Sequence, residues 1–332
     1  RMGMIERLLL LALLVCCGVI VQPFRANAAE DEGNATDWYI DAGVSAYVID
    51  LPEYAPLWDL DTTTLTNSER VTLVDDPVVA PLFHATLGRR LADQWFVEAR
   101  GEYADIETQE NGAYTHSPSR DRVGYYSLSG TKSLLGTVGT AFTKTDVTFQ
   151  EYGLDLLAGK TFTLAEAQVR LFGGYWFTGM DVDYDLDYRS STGDHMLLHE
   201  SLGTTYNGAL VGLGLESRHG AWKLAVETTH GVALAHTDYH GAQKNIVWSD
   251  SRRLNRDECT YRGTLAATLS RPVGSGWDLA LTSEVRYLSY VPQIVASGKT
   301  STPGFSSTGT PTQLKSADSF SGKLGLELSH SF

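Results

Sequence analysis

Near the end of the chain, apolar and polar residues alternate with period two. One parity runs Phe320, Gly322, Leu324, Leu326, Leu328, His330, Phe332, and the other runs Ser321, Lys323, Gly325, Glu327, Ser329, Ser331. Alternation of this kind marks a β-strand whose two faces meet different surroundings. The same pattern recurs at residues 38–48, 79–87, 95–103, 152–158, 169–177, 209–215, 222–226, 261–269 and 277–287. Together these segments predict ten strands.

The connections fall into two classes. Residues 91–94, 163–166, 218–221 and 272–275 are tight, whereas 50–77, 107–145, 187–203, 238–257 and 291–317 are long. Short turns that alternate with long loops are the plan of a transmembrane antiparallel β-barrel, with the short turns in the periplasm and five long loops outside the cell. An even strand number then puts both ends of the barrel in the periplasm. A soluble β-sandwich would also alternate, with its charged parity facing water. The aromatics favour the barrel: Trp38, Trp95, Trp222, Trp277 and Phe332 all lie on the apolar parity near the short-turn ends, as an interfacial girdle requires.

The first 28 residues are read as export signal. Arg1 and Arg7 precede an apolar run at 8–21, and Ala26-Asn27-Ala28 is a small-x-small cleavage site. Cleavage would leave residues 29–332 as a single barrel domain with one cysteine, Cys259. Beyond that run, no apolar stretch is long enough for a membrane helix, so a closed barrel is the spanning structure available. The 32 glycines, 16 tyrosines and 10 prolines suit many strands. A net charge of −14 argues against nucleic acid as a partner. The expected location is the bacterial outer membrane, with its lipid and lipopolysaccharide as partners and no cofactor.

The polar parity is where chemistry could reside. Glu98, Arg100, Glu102, Glu151, Asp155, Lys223, Glu227, Arg262, Glu284, Arg286, Lys323 and Glu327 would all line the barrel interior. Their mixed signs allow ion pairs across the lumen. The interior is then either a plug or a narrow pore, since ten strands make a narrow barrel. Asp181, Asp183, Asp185 and Asp187 share one face of an extended segment. They form either a solvated strand end or oxygen ligands for a hard divalent cation, although EF-hand spacing is absent. His195 and His199 stand four apart without a His-Glu-x-x-His order.

Two loop bases carry a sharper pattern: Asp105 and Glu107 in one, Asp238 and His240 in the other. This arrangement resembles the omptins, outer-membrane proteases with ten strands, and Val169-Arg170-Leu171-Phe172-Gly173-Gly174-Tyr175 resembles that family's fifth strand. The resemblance implies an endopeptidase in which a His–carboxylate pair and an acidic pair activate water. The chain departs from the family at the acidic pair, Asp105-Ile106-Glu107 in place of Asp-x-Asp, and at Trp176-Phe177-Thr178 after the shared strand. A final strand ending on Phe332 also resembles the signal that such barrels present to their assembly machinery. Two functional readings follow. One is a non-enzymatic barrel, either a narrow pore or a loop-displaying surface protein; the other is an omptin-type endopeptidase.

Overall fold

A computed structural model describes residues 38–332 apart from 62–67, 75–76, 116–120, 132, 136–139, 165–166, 275 and 298–309. The expected export segment lies outside the described residues. In chain order the strands are β1 (Trp38–Ile49), β2 (Leu57–Asp61), β3 (Ser68–Val71), β4 (Val78–Arg90), β5 (Trp95–Thr115), β6 (Asp121–Tyr126), β7 (Ser133–Leu135), β8 (Thr140–Leu164), β9 (Ala167–Ser190), β10 (His195–His219), β11 (Trp222–Asn245), β12 (Ser249–Gly274), β13 (Trp277–Val295) and β14 (Gln313–Ser331). Ten of them close a barrel in the order β1-β14-β13-β12-β11-β10-β9-β8-β5-β4, every pair antiparallel. Closure comes from β1 pairing with β14, where Ala42 lies opposite Leu328. The four short strands form a separate sheet, β3-β2-β6-β7, from the connections at the long-loop end.

The short turns fall where the alternation breaks. Between β10 and β11, His219 pairs with Trp222, so Gly220 and Ala221 make the whole turn. Gly220 has φ 60, a conformation that costs a residue with a Cβ and costs glycine almost nothing.

The long connections sit at the predicted places, but much of their length is strand. Residues 187–203 form a continuous hairpin of β9 and β10 around a turn at 191–194, and 238–257 form β11 and β12 around 246–248. β9 has 24 residues, whereas a membrane β-strand needs about 9–11. More than half of this hairpin therefore stands above the bilayer.

The reason it resembles a loop in sequence is that the apolar parity changes face at the membrane surface. On β10, Val211 points outward and is 63% exposed, while Leu202 points inward and is 5% exposed. On β9 the outward set passes from Leu171 and Tyr175 to Asp181, Asp183, Asp185 and Asp187. The inward set passes from Arg170 to Met180, Val182, Tyr184, Leu186 and Tyr188. Lipid outside demands apolar residues there. Above the lipid, water lies outside and the apolar residues turn inward, as in a soluble barrel.

Two aromatic rings bracket the outward apolar band. Trp38, Trp95, Trp222 and Trp277 mark the periplasmic side. Tyr103, Tyr152, Phe177, Tyr261, Tyr287 and Phe320 mark the other, with Tyr152 near Phe177 (5.9 Å between ring centroids) and Tyr287 near Phe320 (4.8 Å). Gly179 leaves room for this upper ring: a Cβ there would come within 2.2 Å of the Tyr152 side chain.

Candidate functional site

Within the membrane band, the inward parity is filled by charge. All twelve residues expected to line the lumen point inward, and the strand register assembles them into clusters. The largest centres on Arg286 of β13. Its Nη2 donates to Glu102 Oε1 and Oε2 (2.7 and 2.8 Å), and its Nη1 donates to Glu151 Oε1 (2.7 Å). Lys323 Nζ lies 3.0 Å from Glu284 Oε2 and 3.6 Å from Glu102 Oε2. The Tyr47 hydroxyl donates to the other Glu151 oxygen (2.7 Å). A second cluster joins Arg100 to Glu98 (2.7 Å) and to Glu227, with Arg170 and the Tyr39 hydroxyl also donating to Glu98. Arg262 reaches Asp155 (2.7 Å) and lies over the Trp176 ring, 4.4 Å from its centroid. Lys223 pairs with Glu216 (3.3 Å), and Glu327 with His84 (3.1 Å).

Sequence reasoning missed Arg170, His84 and Glu216 as members of this interior. Arg170 and Glu216 were findable, because each lies on the charged parity of its strand. His84 gives no such signal beside Leu82 and Thr86.

Above the band the interior is largely apolar, and chain from the long connections packs into it. Leu51, Tyr54 and Val74 lie in the core with Tyr184, Val182, Phe149 and Tyr239. Tyr54 stacks on Tyr184 with centroids 4.0 Å apart and planes 12° apart. Its hydroxyl donates to Glu200 Oε2 (2.6 Å), and the Tyr239 hydroxyl donates to Glu200 Oε1 (2.5 Å). Leu57, Tyr125 and Leu128 pack on Tyr188, Leu186 and Met196 nearer the mouth. The cap is tied to the wall by Leu128 N to Gln243 Oε1 (3.1 Å) and Ser129 Oγ to Asp250 Oδ2 (2.7 Å), and Trp58 Nε1 donates to Ser297 O (2.8 Å) just beyond β13.

Burial holds the Glu200 carboxyl above its ordinary value of 4.5, while the hydrogen bonds from Tyr239 and Tyr54 pull it down. An acid with a raised folded-state pKa contributes stability below its unfolded value, and that contribution is lost as pH rises through the raised one. Glu200→Gln removes this dependence while keeping an acceptor for a tyrosine hydroxyl. The melting temperature of Glu200→Gln relative to wild type should therefore climb with pH from about pH 4 upward. Glu200→Ala should melt lower at every pH, because two buried hydroxyls lose their acceptor. A Gln-to-wild-type difference that stays flat across a pH series of melting curves would count against the buried carboxylate.

The residues expected to form a protease site are not brought together. Asp105, Glu107, Asp238 and His240 all lie on the outward parity above the upper aromatic ring, on the barrel's outer wall. From β5 to β11 the ring passes through β8, β9 and β10, which is four strand intervals, or about 19 Å along the wall. Across those intervals Glu107 lies level with Thr148, Asp183, Ser201 and then His240. The outward direction follows from the parity change: above the membrane the polar parity is the outer one. Among the described residues the interior above the band holds no histidine.

The four aspartates are likewise on the outer wall. Asp187 pairs with Arg189 (2.7 Å) and His195 (3.0 Å), and Asp185 with His199 (2.8 Å). Hydrogen bonding from Arg189, followed by its charge and by contacts from His195, outweighs partial burial and holds the Asp187 carboxyl below its ordinary range. Among the described residues no group of three or more His, Cys, Asp or Glu is placed to hold a metal ion.

Strand closure, the apolar belt between two aromatic rings and the charged interior define an integral outer-membrane β-barrel. Among solved structures the chain is similar to the outer membrane protease OmpT from Escherichia coli, with TM-score 0.53 and 10% identity over 91% of this chain and 99% of that one. At that identity the likeness establishes the fold. The chain also aligns with a Pseudomonas aeruginosa FadL homologue (TM-score 0.26, 8% identity, 89% of this chain and 90% of that one) and with the CymD monoaromatic hydrocarbon channel (0.30, 9%, 88% and 88%). Those two TM-scores carry no argument about this barrel. No protein-family model matches the chain, and no curated protein sequence matches it.

Proposed function

We propose that this protein is a closed, non-enzymatic outer-membrane barrel that works through its extracellular wall and cap. The observation that carries this reading is the filled interior. Arg286 and its carboxylates occupy the membrane level, and the Tyr54 segment occupies the level above. Among the described residues two successive layers of side chains stand across the lumen, and this packing supports a closed barrel. The outer wall supports a contact role: residues of β8 to β12 line a groove of about 810 Å³ that includes Lys144, Asp146, Asp185, His199 and Lys244. Sites of such volume suit ligand or partner contact.

Purified protein in a planar bilayer should conduct no more than the bare bilayer, and stepwise single-channel currents would overturn the closed reading. Fluorogenic peptides should be cleaved equally by wild type and His240→Ala, at background rate. Cleavage that is lost in His240→Ala would establish the endopeptidase instead.

A further inference from the structure

We propose that the lipid-facing wall between β1 and β9 carries a dedicated site for one anionic glycerophospholipid of the periplasmic leaflet. A groove of about 460 Å³ opens on the outer surface there, with Trp38, Leu87 and Arg89 at one side and Leu156 and Gly173 at the other. The strand register explains the hollow. Val97 lies level with Ala158 and Gly173, and Ala99 with Leu156. The small residues form a floor in a wall otherwise lined by leucine, valine and aromatic side chains. A floor of this kind at membrane depth meets only lipid, and a chain-shaped apolar group fills it.

The charge at the groove's end decides which lipid. Arg89 points outward at the level of the periplasmic aromatic ring, with its guanidinium over the Trp38 ring, 5.2 Å from the centroid. Its Nε is shielded from solvent and has no hydrogen-bond partner among the described residues. Two strands away, about 10 Å along the wall, Lys160 lies over the Trp95 ring at 5.7 Å. Among the described residues neither cation makes an ion pair, although nearly all the other membrane-level cations named above do. An unpaired cation lining the end of an acyl-sized groove, with a second just beyond it toward the periplasmic turn, matches a phosphate with its chain pointing into the bilayer.

Native mass spectrometry of the purified barrel, incubated with phosphatidylglycerol or with phosphatidylcholine, tests this. Wild type should retain one phosphatidylglycerol after collisions that strip the remaining lipid, and retain phosphatidylcholine more weakly. Arg89→Gln and Lys160→Gln should each lower phosphatidylglycerol retention about fivefold. Ala158→Phe fills the groove without changing charge and should abolish retention of both lipids. Each variant should keep the heat-modifiable gel shift of the folded barrel, because the altered side chains face outward. Equal retention of the two lipids by wild type would overturn the charge assignment. Undiminished retention by Ala158→Phe would overturn the groove.

Discussion

Arg286→Ala should destabilise the barrel by about 3–5 kcal/mol, the largest effect expected of any single interior substitution. Arg286 is 9% exposed and faces Glu102, Glu151 and Glu284 together. Among the described residues its removal leaves Glu102 and Glu284 ion-paired with Lys323 alone and Glu151 with no ion pair. Glu151, 3% exposed, would keep only the Tyr47 hydroxyl among the partners described for it. Arg286→Lys should fall between wild type and alanine, because a point charge cannot serve two carboxylates in the forked geometry seen here. Adding Glu151→Gln to Arg286→Ala should recover part of the loss, since the two act on one network. Urea unfolding in lipid vesicles, followed by tryptophan fluorescence, measures all four proteins. An unfolding free energy for Arg286→Ala within about 0.5 kcal/mol of wild type would mean that water fills this level and that the plug is not dry.

Tyr54→Ala should release the segment between β1 and β4 while leaving the barrel wall intact. The ring is 1% exposed, stacks on Tyr184 and donates to Glu200. Truncating a buried aromatic costs about 3–5 kcal/mol, and here the loss falls on a segment that crosses the mouth. Tyr54→Phe keeps the stacking and loses the hydroxyl, at about 1–3 kcal/mol. Protease added to vesicles should then cut Tyr54→Ala within 50–61 much faster than wild type, with Tyr54→Phe between them. Unfolding of the wall should change little. A lowered wall midpoint with the segment still resistant would show that Tyr54 braces the barrel and does not hold the cap.

Several features were legible because each rests on a local rule. The lipid-level strands were readable from Trp277, Leu279 and Leu281 alternating with Asp278, Ala280 and Thr282, since a strand facing lipid on one side has to alternate. The turn at 218–221 was readable because two strand patterns stop on either side of Gly220. The charged interior was readable because Glu102, Arg286 and Lys323 all sit on the parity opposite the apolar one.

The upper barrel was not legible in the same way. Asp181 to Asp187 resembled a solvated strand end or a cation site, and Asp105, Glu107, Asp238 and His240 resembled a catalytic set. Both patterns are polar alternations, and alternation alone does not say which face looks inward. Only at the membrane surface, where the medium outside changes from lipid to water, does the apolar parity move to the inner face. That change carries every one of these residues to the outer wall.

The sequence by itself thus determined that ten strands cross the membrane, where the tight turns fall and which parity of each strand carries the interior charges, since period-two geometry and lipid contact are local constraints. The tertiary structure alone decided that Tyr54 and its neighbours enter the mouth, that Arg286 serves three carboxylates from β5, β8 and β13, and that the protease-like residues face apart. Those outcomes depend on register, ring order and the return of distant chain into the barrel, which no local pattern encodes.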